Sequence, residues 1–390
     1  MTDVRAIAAA ALTDAVTWRR HLHAHPELSF QEHETATWIH ERLDGFGGLE
    51  VGRPTATSVV ATLRGGRPGR TIALRADIDA LPIVEETGLE FASTRRGVMH
   101  ACGHDGHTAV LLSVARVLAG MKADLPGEVR FVFQHAEELP PGGAREIVAT
   151  GALDGVEAVL GCHLMSTFPT GQVSVSGGPV MAAADFFDAT VEGVGGHGAF
   201  PHETVDPIAI AAQIVSSLQH IVSRTVDPLE SAVVTVTRFN AGSADNVIPS
   251  SVNFGGTVRS FDQTLREEIH ERMHRIVEGV AAAHGARATL TIDPAFDAVV
   301  NDAALAEQVE ESALRAVGEA RFQRIPPMMG GEDFSVYARV APITFWFVGA
   351  RNPAKGAEWP HHHSHFTVDE QALETAIAVM TQVALDQLSA

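Results

Sequence analysis

The runs 71–74, 129–133, 158–160 and 343–348 are apolar almost without interruption, and that continuity constrains the fold more than any other feature. A strand with one wet face alternates in polarity. A run with no polar face suits a strand buried on both sides of a parallel or mixed sheet. Helices must then cover the sheet, and segments 4–22, 32–46, 106–120 and 370–388 are read as helical. In 106–120 the residues Val110, Leu111, Val114, Val117 and Leu118 form an apolar stripe, with Asp105 a candidate N-cap. The class expected is α/β, a mixed and mostly parallel sheet flanked by helices. The residues directly after the apolar runs bear on function. The first run leads into Arg75-Ala76-Asp77-Ile78-Asp79, the second into Gln134-His135-Ala136-Glu137-Glu138, and the third into Gly161-Cys162-His163. Polar donors gather at one sheet edge, the place where open α/β sheets bind ligands.

The middle of the chain has another rhythm. Strands are expected at 186–191, 232–239, 252–258 and 288–292. A helix at 207–222 opens on Asp206 and Pro207, and another at 264–283 lies between Asp262 and Gly285. The order β-α-β-β-α-β is ferredoxin-like. A chain of 390 residues exceeds one ordinary core, so two domains are expected. The first comprises 1–182 and 295–390, and the second, 183–294, is inserted into it.

The balance of 28 basic against 48 acidic residues, formally −20, argues against a nucleic-acid partner. The opening Met1-Thr2-Asp3-Val4-Arg5 lacks the basic lead of a signal peptide, and the apolar stretch after it is too short to span a bilayer. A cytoplasmic protein without membrane attachment is expected. Cys102 and Cys162 both lie beside histidines, which favours roles other than a disulfide.

Most of the chemistry is carried by a few clusters. His100-Ala101-Cys102-Gly103-His104-Asp105-Gly106-His107 packs imidazoles, a thiol and a carboxylate together, a donor density that suggests a metal site. Glu137 and Glu138 end a strand, where adjacent side chains diverge. One carboxylate can hold a metal while the other handles the proton of a water. His163 comes after another strand, and Trp359-Pro360-His361-His362-His363-Ser364-His365 adds further imidazoles, among which adjacency alone does not select a ligand. In the inserted domain the glycine-rich loop Gly193-Val194-Gly195-Gly196-His197-Gly198-Ala199 fits no phosphate-binding spacing and would let His197 reach a substrate. Asn246 and Arg259 are the other candidates there, the guanidinium suited to a two-pronged bond with a substrate carboxylate.

His25-Pro26-Glu27-Leu28, Arg75-Ala76-Asp77-Ile78-Asp79-Ala80-Leu81-Pro82, Met99-His100-Ala101-Cys102-Gly103-His104-Asp105, Ala136-Glu137-Glu138, Gly196-His197-Gly198-Ala199, Asn246-Val247-Ile248-Pro249, Gly256-Thr257-Val258-Arg259 and Gly331-Glu332-Asp333-Phe334 together resemble a known family. It is the dinuclear metallopeptidase and amidohydrolase family that includes aminoacylase, bacterial hippurate hydrolase and the plant hydrolases of indole-acetic-acid conjugates. The cysteine in the metal motif points to the hippurate hydrolase branch.

The resemblance implies a zinc-peptidase-like catalytic domain with an inserted dimerisation domain, and two divalent ions per subunit. Cys102 would bridge them, with His104, Glu138, His163 and His362 as the other ligands; Ser364 stands where the family usually has proline. Glu137 would be the general base, His197 would reach the site of a partner subunit, and Asn246 and Arg259 would hold the substrate carboxylate. Asp77 and Asp79 would support the ligands from behind, while His100 and His107 receive no role. The activity implied is hydrolysis of N-acyl amino acids such as hippurate by a homodimer. A carboxypeptidase or dipeptidase, a deacetylase, or a non-catalytic metal-binding protein are the alternatives. The donor set suits zinc, manganese, cobalt or nickel.

Overall fold

A computed structural model describes residues 3–389 and divides the chain into two compact units. The first comprises Met1–Val180, Val300–Pro326 and Asp333–Ala390; the second comprises Met181–Val299 and Pro327–Glu332. The short return at Pro327–Glu332 departs from the sequence reading, which left it in the first domain. Backbone pairing draws it in, since Ala182 N–H donates to the carbonyls of Met328 and Gly330 at 3.1 and 3.0 Å.

In the first unit a seven-stranded sheet is built from β1 (Glu50–Gly52), β2 (Val59–Arg64), β3 (Arg67–Asp77), β4 (Pro126–Gln134), β5 (Ala158–Pro169), β6 (Val173–Ser174) and the later strand Ile343–Arg351. Its order is β1-β2-β4-β3-β5, then Ile343–Arg351, then β6. The β3, β4, β5 and Ile343–Arg351 neighbours are parallel, and the outer pairings are antiparallel. This is the mixed sheet expected from the continuous apolar runs. Helices α1 (Val4–Ala24), α2 (His33–Phe46), α3 (His104–Gly120) and the C-terminal Gln371–Ser389 cover it. Their buried aliphatic residues join those of the sheet in one core.

Two local departures shape the site. Asp105 does not cap α3. The cap is Gly103 at φ 94°, a left-handed conformation that glycine adopts without penalty, so the helix starts at His104 and Asp105 lies inside its first turn. Strand β5 also runs well past Leu160. Its last partner on β3 is Arg75 opposite Gly161, whereas Ile343–Arg351 accompanies it as far as Pro169. His163 is therefore within a strand, on a stretch that has lost one neighbour.

The second unit holds a four-stranded antiparallel sheet in the order Ala232–Ala241, Ser251–Ser260, Ala183–Glu192, Arg287–Phe296, with helices Pro207–His220 and Gln263–Ala283. Helix and sheet share a core that includes Phe187, Ile214, Phe254, Ile269 and Met273. Asp206 and Asp262 cap the two helices, each side chain accepting a backbone N–H of the first turn. Among the described residues no helix is long and apolar enough to cross a membrane.

Candidate metal centre

The loop that ends in Gly103 and the start of α3 bring Cys102 and His104 to the carboxyl edge of the sheet, where Glu137, Glu138 and His163 also arrive. Two of the donor groups formed there contain Cys102, each with its ligand atoms within 4.8 Å of one another: Cys102, His104 and Glu138, and Cys102, His163 and His361. Cys102 belongs to both.

The imidazoles are oriented from behind. His104 Nδ1 lies 3.0 Å from the Asp79 carbonyl and 3.2 Å from its carboxylate, so that nitrogen carries the proton. Nε2 is left buried without a hydrogen-bond partner. His163 Nδ1 donates to the Leu164 carbonyl at 2.8 Å, which turns the Nε2 lone pair toward Cys102 Sγ at 3.5 Å. A ligand imidazole whose other N–H is anchored on a carbonyl or carboxylate is the usual arrangement at metal sites. Asp79 is itself held by Ser29 Oγ at 2.7 Å and Glu138 N–H at 3.0 Å.

The electrostatics favour a cation. Burial, then Glu138 and Glu137, push the Cys102 thiol well above its ordinary value. Burial depresses His104, but Asp77 and Asp79 outweigh it and raise the imidazole to about 10. A pocket that demands positive charge at His104 Nε2 would accept a divalent ion in place of that proton. Burial, then His107 and His361, hold His163 well below its usual range, keeping its lone pair available. The residues present therefore fit a pair of metal ions.

The C-terminal histidines separate by geometry. His362, at φ 65°, is pinned by its own N–H to the Ala101 carbonyl at 2.8 Å, and its Nε2 lies 3.2 Å from Glu138 Oε1. His361 is closer to His163 and Cys102, but its Nε2 accepts the Ser166 N–H at 3.2 Å. His363 stacks on Trp359 with centroids 4.3 Å apart. Glu137 is buried, with Oε2 3.9 Å from His104 Nε2.

In the second unit, the strand pair Gly196–His197 and Val247–Ile248 brings the glycine-rich loop against the Asn246 segment, with Gly198 N–H donating to the Asn246 carbonyl at 2.8 Å. His197 is exposed, and its Nδ1 accepts Ala199 N–H at 3.1 Å. Arg259 is half-buried on Ser251–Ser260, its guanidinium 5.7 Å from the Phe186 ring and bonded to Thr257 Oγ1 and the Val258 carbonyl. Burial lowers its pKa.

Several residues escaped the sequence reading. Arg75, wholly buried, bonds Gln134 Oε1 at 2.8 Å, Asp77 at 2.7 Å and Asp333 at 3.1 Å. His107 joins Asp77 at 2.6 Å. The spacing of His104 and His107, three apart on a helix, was the available signal that both face one way.

An α/β sheet carrying such a cluster at its carboxyl edge defines a metal-dependent hydrolase, and comparison with known proteins agrees. Residues 73–386 match the model of peptidase family M20/M25/M40. The chain is 56% identical over 289 residues to an N-acyl-L-amino acid amidohydrolase of Geobacillus stearothermophilus, covering 74% of this chain and 78% of that one. It is 40% identical over 361 residues to thermostable carboxypeptidase 1 of Saccharolobus solfataricus, covering 91% of each. A solved dinuclear metal-binding peptidase of the M20 family from Bacillus subtilis superposes with a TM-score of 0.83 at 39% identity, over 98% of this chain and 99% of that one. The chain belongs to peptidase family M20/M25/M40 and is a metal-dependent hydrolase.

Proposed function

We propose that the protein hydrolyses the amide bond of N-acyl amino acids, hippurate-like conjugates among them, with two divalent ions held by Cys102, His104, Glu138, His163 and His362. The observation that carries this reading is that Cys102 Sγ lies within 4.8 Å of ligand atoms of His104 and Glu138 on one side and of His163 on the other. A thiolate common to both can bridge. His362 is preferred over His361 because its Nε2 faces Glu138, whereas the His361 Nε2 is taken by a backbone N–H.

When bound, divalent ions acidify water and polarise a carbonyl. Glu137, buried beside His104, removes the proton of the attacking water and delivers it to the departing amine. Asn246 and Arg259, in the second unit, carry the groups suited to hold the free carboxylate of the amino acid. His197, exposed on its loop, serves the site of a second copy in a homodimer and stabilises the developing oxyanion there. Mixed thiolate, imidazole and carboxylate donors suit zinc, manganese, cobalt or nickel.

The test is a hydrolysis screen of hippurate, N-acetyl amino acids and dipeptides after reconstitution with each metal. Turnover of the acyl amino acids is expected. Faster cleavage of dipeptides would make the enzyme a peptidase, and stoichiometric metal with no hydrolysis would sink the reading.

A further inference from the structure

His107 is fully buried in α3, has no place among the ligands, and is tied at both nitrogens. The Leu164 N–H can only donate, and it lies 2.8 Å from His107 Nε2. That nitrogen must therefore present its lone pair, so Nδ1 carries the proton and donates to Asp77 Oδ1 at 2.6 Å. Asp77 can remain an acceptor there because Arg75 Nη1 reaches its other oxygen at 2.7 Å, with both side chains closed to solvent. On the far side of Leu164 its carbonyl, which can only accept, takes the His163 Nδ1 proton at 2.8 Å. Each link has one allowed direction, and the series ends with the His163 Nε2 lone pair facing Cys102 Sγ at 3.5 Å.

The topology explains why a histidine is needed. Strand β3 stops pairing with β5 at Gly161, so Leu164 lacks a strand neighbour on that side. The His107 ring supplies the missing acceptor. His107 also lies near His104 and His163, its Nδ1 or Nε2 within 4.8 Å of nitrogens of both, which could suggest a third ligand triad. The Leu164 N–H on Nε2 and the Asp77 bond on Nδ1 speak against that use.

We propose that His107, braced from behind by the Arg75–Asp77 pair, is a positioning residue. It fixes the Leu164 backbone and through it the tautomer and aim of His163, and so sets the affinity for the ion that His163 holds. This rests on the metal reading given under the proposed function. The role is one of support, since the ring touches neither ion nor substrate.

The test compares His107→Asn and His107→Gln in the full-length protein, titrated with Co(II) against a competing chelator. Ion stoichiometry and the thiolate-to-cobalt absorption band are followed together with melting of the metal-free protein. Asparagine keeps a donor for Asp77 but offers no acceptor at the Nε2 position. Glutamine places an amide oxygen near that position. The expected result is a fall of about 10–100-fold in affinity for one of the two ions in His107→Asn, the other being retained. His107→Gln should recover most of that loss, with metal-free melting alike in the two variants. The proposal is overturned if His107→Asn binds both ions as the parent does. Equal loss of both ions in the two variants, with a common drop in metal-free melting, marks a merely structural residue and also overturns it. If the parent itself fails to bind two Co(II) ions or shows no thiolate band, the metal reading fails first and the positioning role falls with it.

Discussion

Arg19 and Asp105 form an ion pair closed to solvent, with Nε 3.1 Å from Oδ2 and both side chains 1% exposed. Asp105 is next to His104 in the first turn of α3, so the pair fastens α1 to the turn that presents a candidate ligand. His23 Nδ1 adds a second contact to the same oxygen at 2.8 Å. Removing one member of a buried pair leaves the other without compensation, typically at a cost of about 3–5 kcal/mol. Arg19→Met is expected to lose stability on that scale in urea unfolding. A change below about 1 kcal/mol would show that His23 alone satisfies Asp105.

Glu137→Gln keeps the shape of the side chain and removes its capacity to take a proton. A fall of about 10²–10⁴ in kcat is expected, with metal content unchanged. Elemental analysis beside steady-state kinetics checks both halves. Near-normal turnover would remove Glu137 from the reaction.

Cys102 is common to both donor groups, so Cys102→Ala should weaken both ions together, whereas Glu138→Ala should weaken chiefly one. Competition with a chelator reads this directly. Activity lost on chelation should return on adding metal to the parent but not, at the same free concentration, to Cys102→Ala.

Gly103 stands at φ 94°, and an added Cβ would meet only ordinary van der Waals contacts, the nearest atom being His107 Nε2 at 3.6 Å. The penalty for alanine there is conformational, about 1–2 kcal/mol. Gly103→Ala should lower the melting temperature and shift the start of α3, with loss of metal affinity through His104. Unaltered melting would mean that the cap tolerates a side chain.

A pH effect on stability is expected in the second unit. Asp185 accepts from Arg266 Nε at 3.0 Å and from His270 Nε2 at 2.6 Å. Burial raises its pKa, but His270 and Arg266 outweigh that and bring the carboxylate below its ordinary value. A lowered folded-state pKa contributes stability that is present above the unfolded value of about 3.9 and is lost as pH falls through the folded one. Asp185→Asn should therefore be destabilised at neutral pH and should show a flatter fall in stability below about pH 4. Parallel pH curves for parent and variant would contradict this.

Much of the fold was legible because burial on two faces leaves a mark in the chain. The runs 71–74, 129–133 and 343–348 fall inside β3, β4 and Ile343–Arg351, and the β-α-β-β-α-β order of the middle segment matches the observed elements. The candidates Glu138 and His163 stood out for a related reason, since each lies just beyond one of those runs, whereas Cys102 and His104 stood out by the density of donor types in 100–107. Asp105 was misread as a cap. Its alternative partners, Arg19 and His23, lie more than eighty positions away in sequence, and a local pattern holds no record of them.

The sequence by itself determined the class of sheet, the order of elements in both units, the acidic character and the inventory of metal-type donors, because each arises from local composition and periodicity. Only the tertiary structure decided that Cys102 is common to two donor groups, that His362 rather than His361 faces Glu138, and that His107 serves Leu164. Those relations depend on where β3 stops pairing beside β5 and on the direction of single hydrogen bonds, which exist only once distant segments have packed.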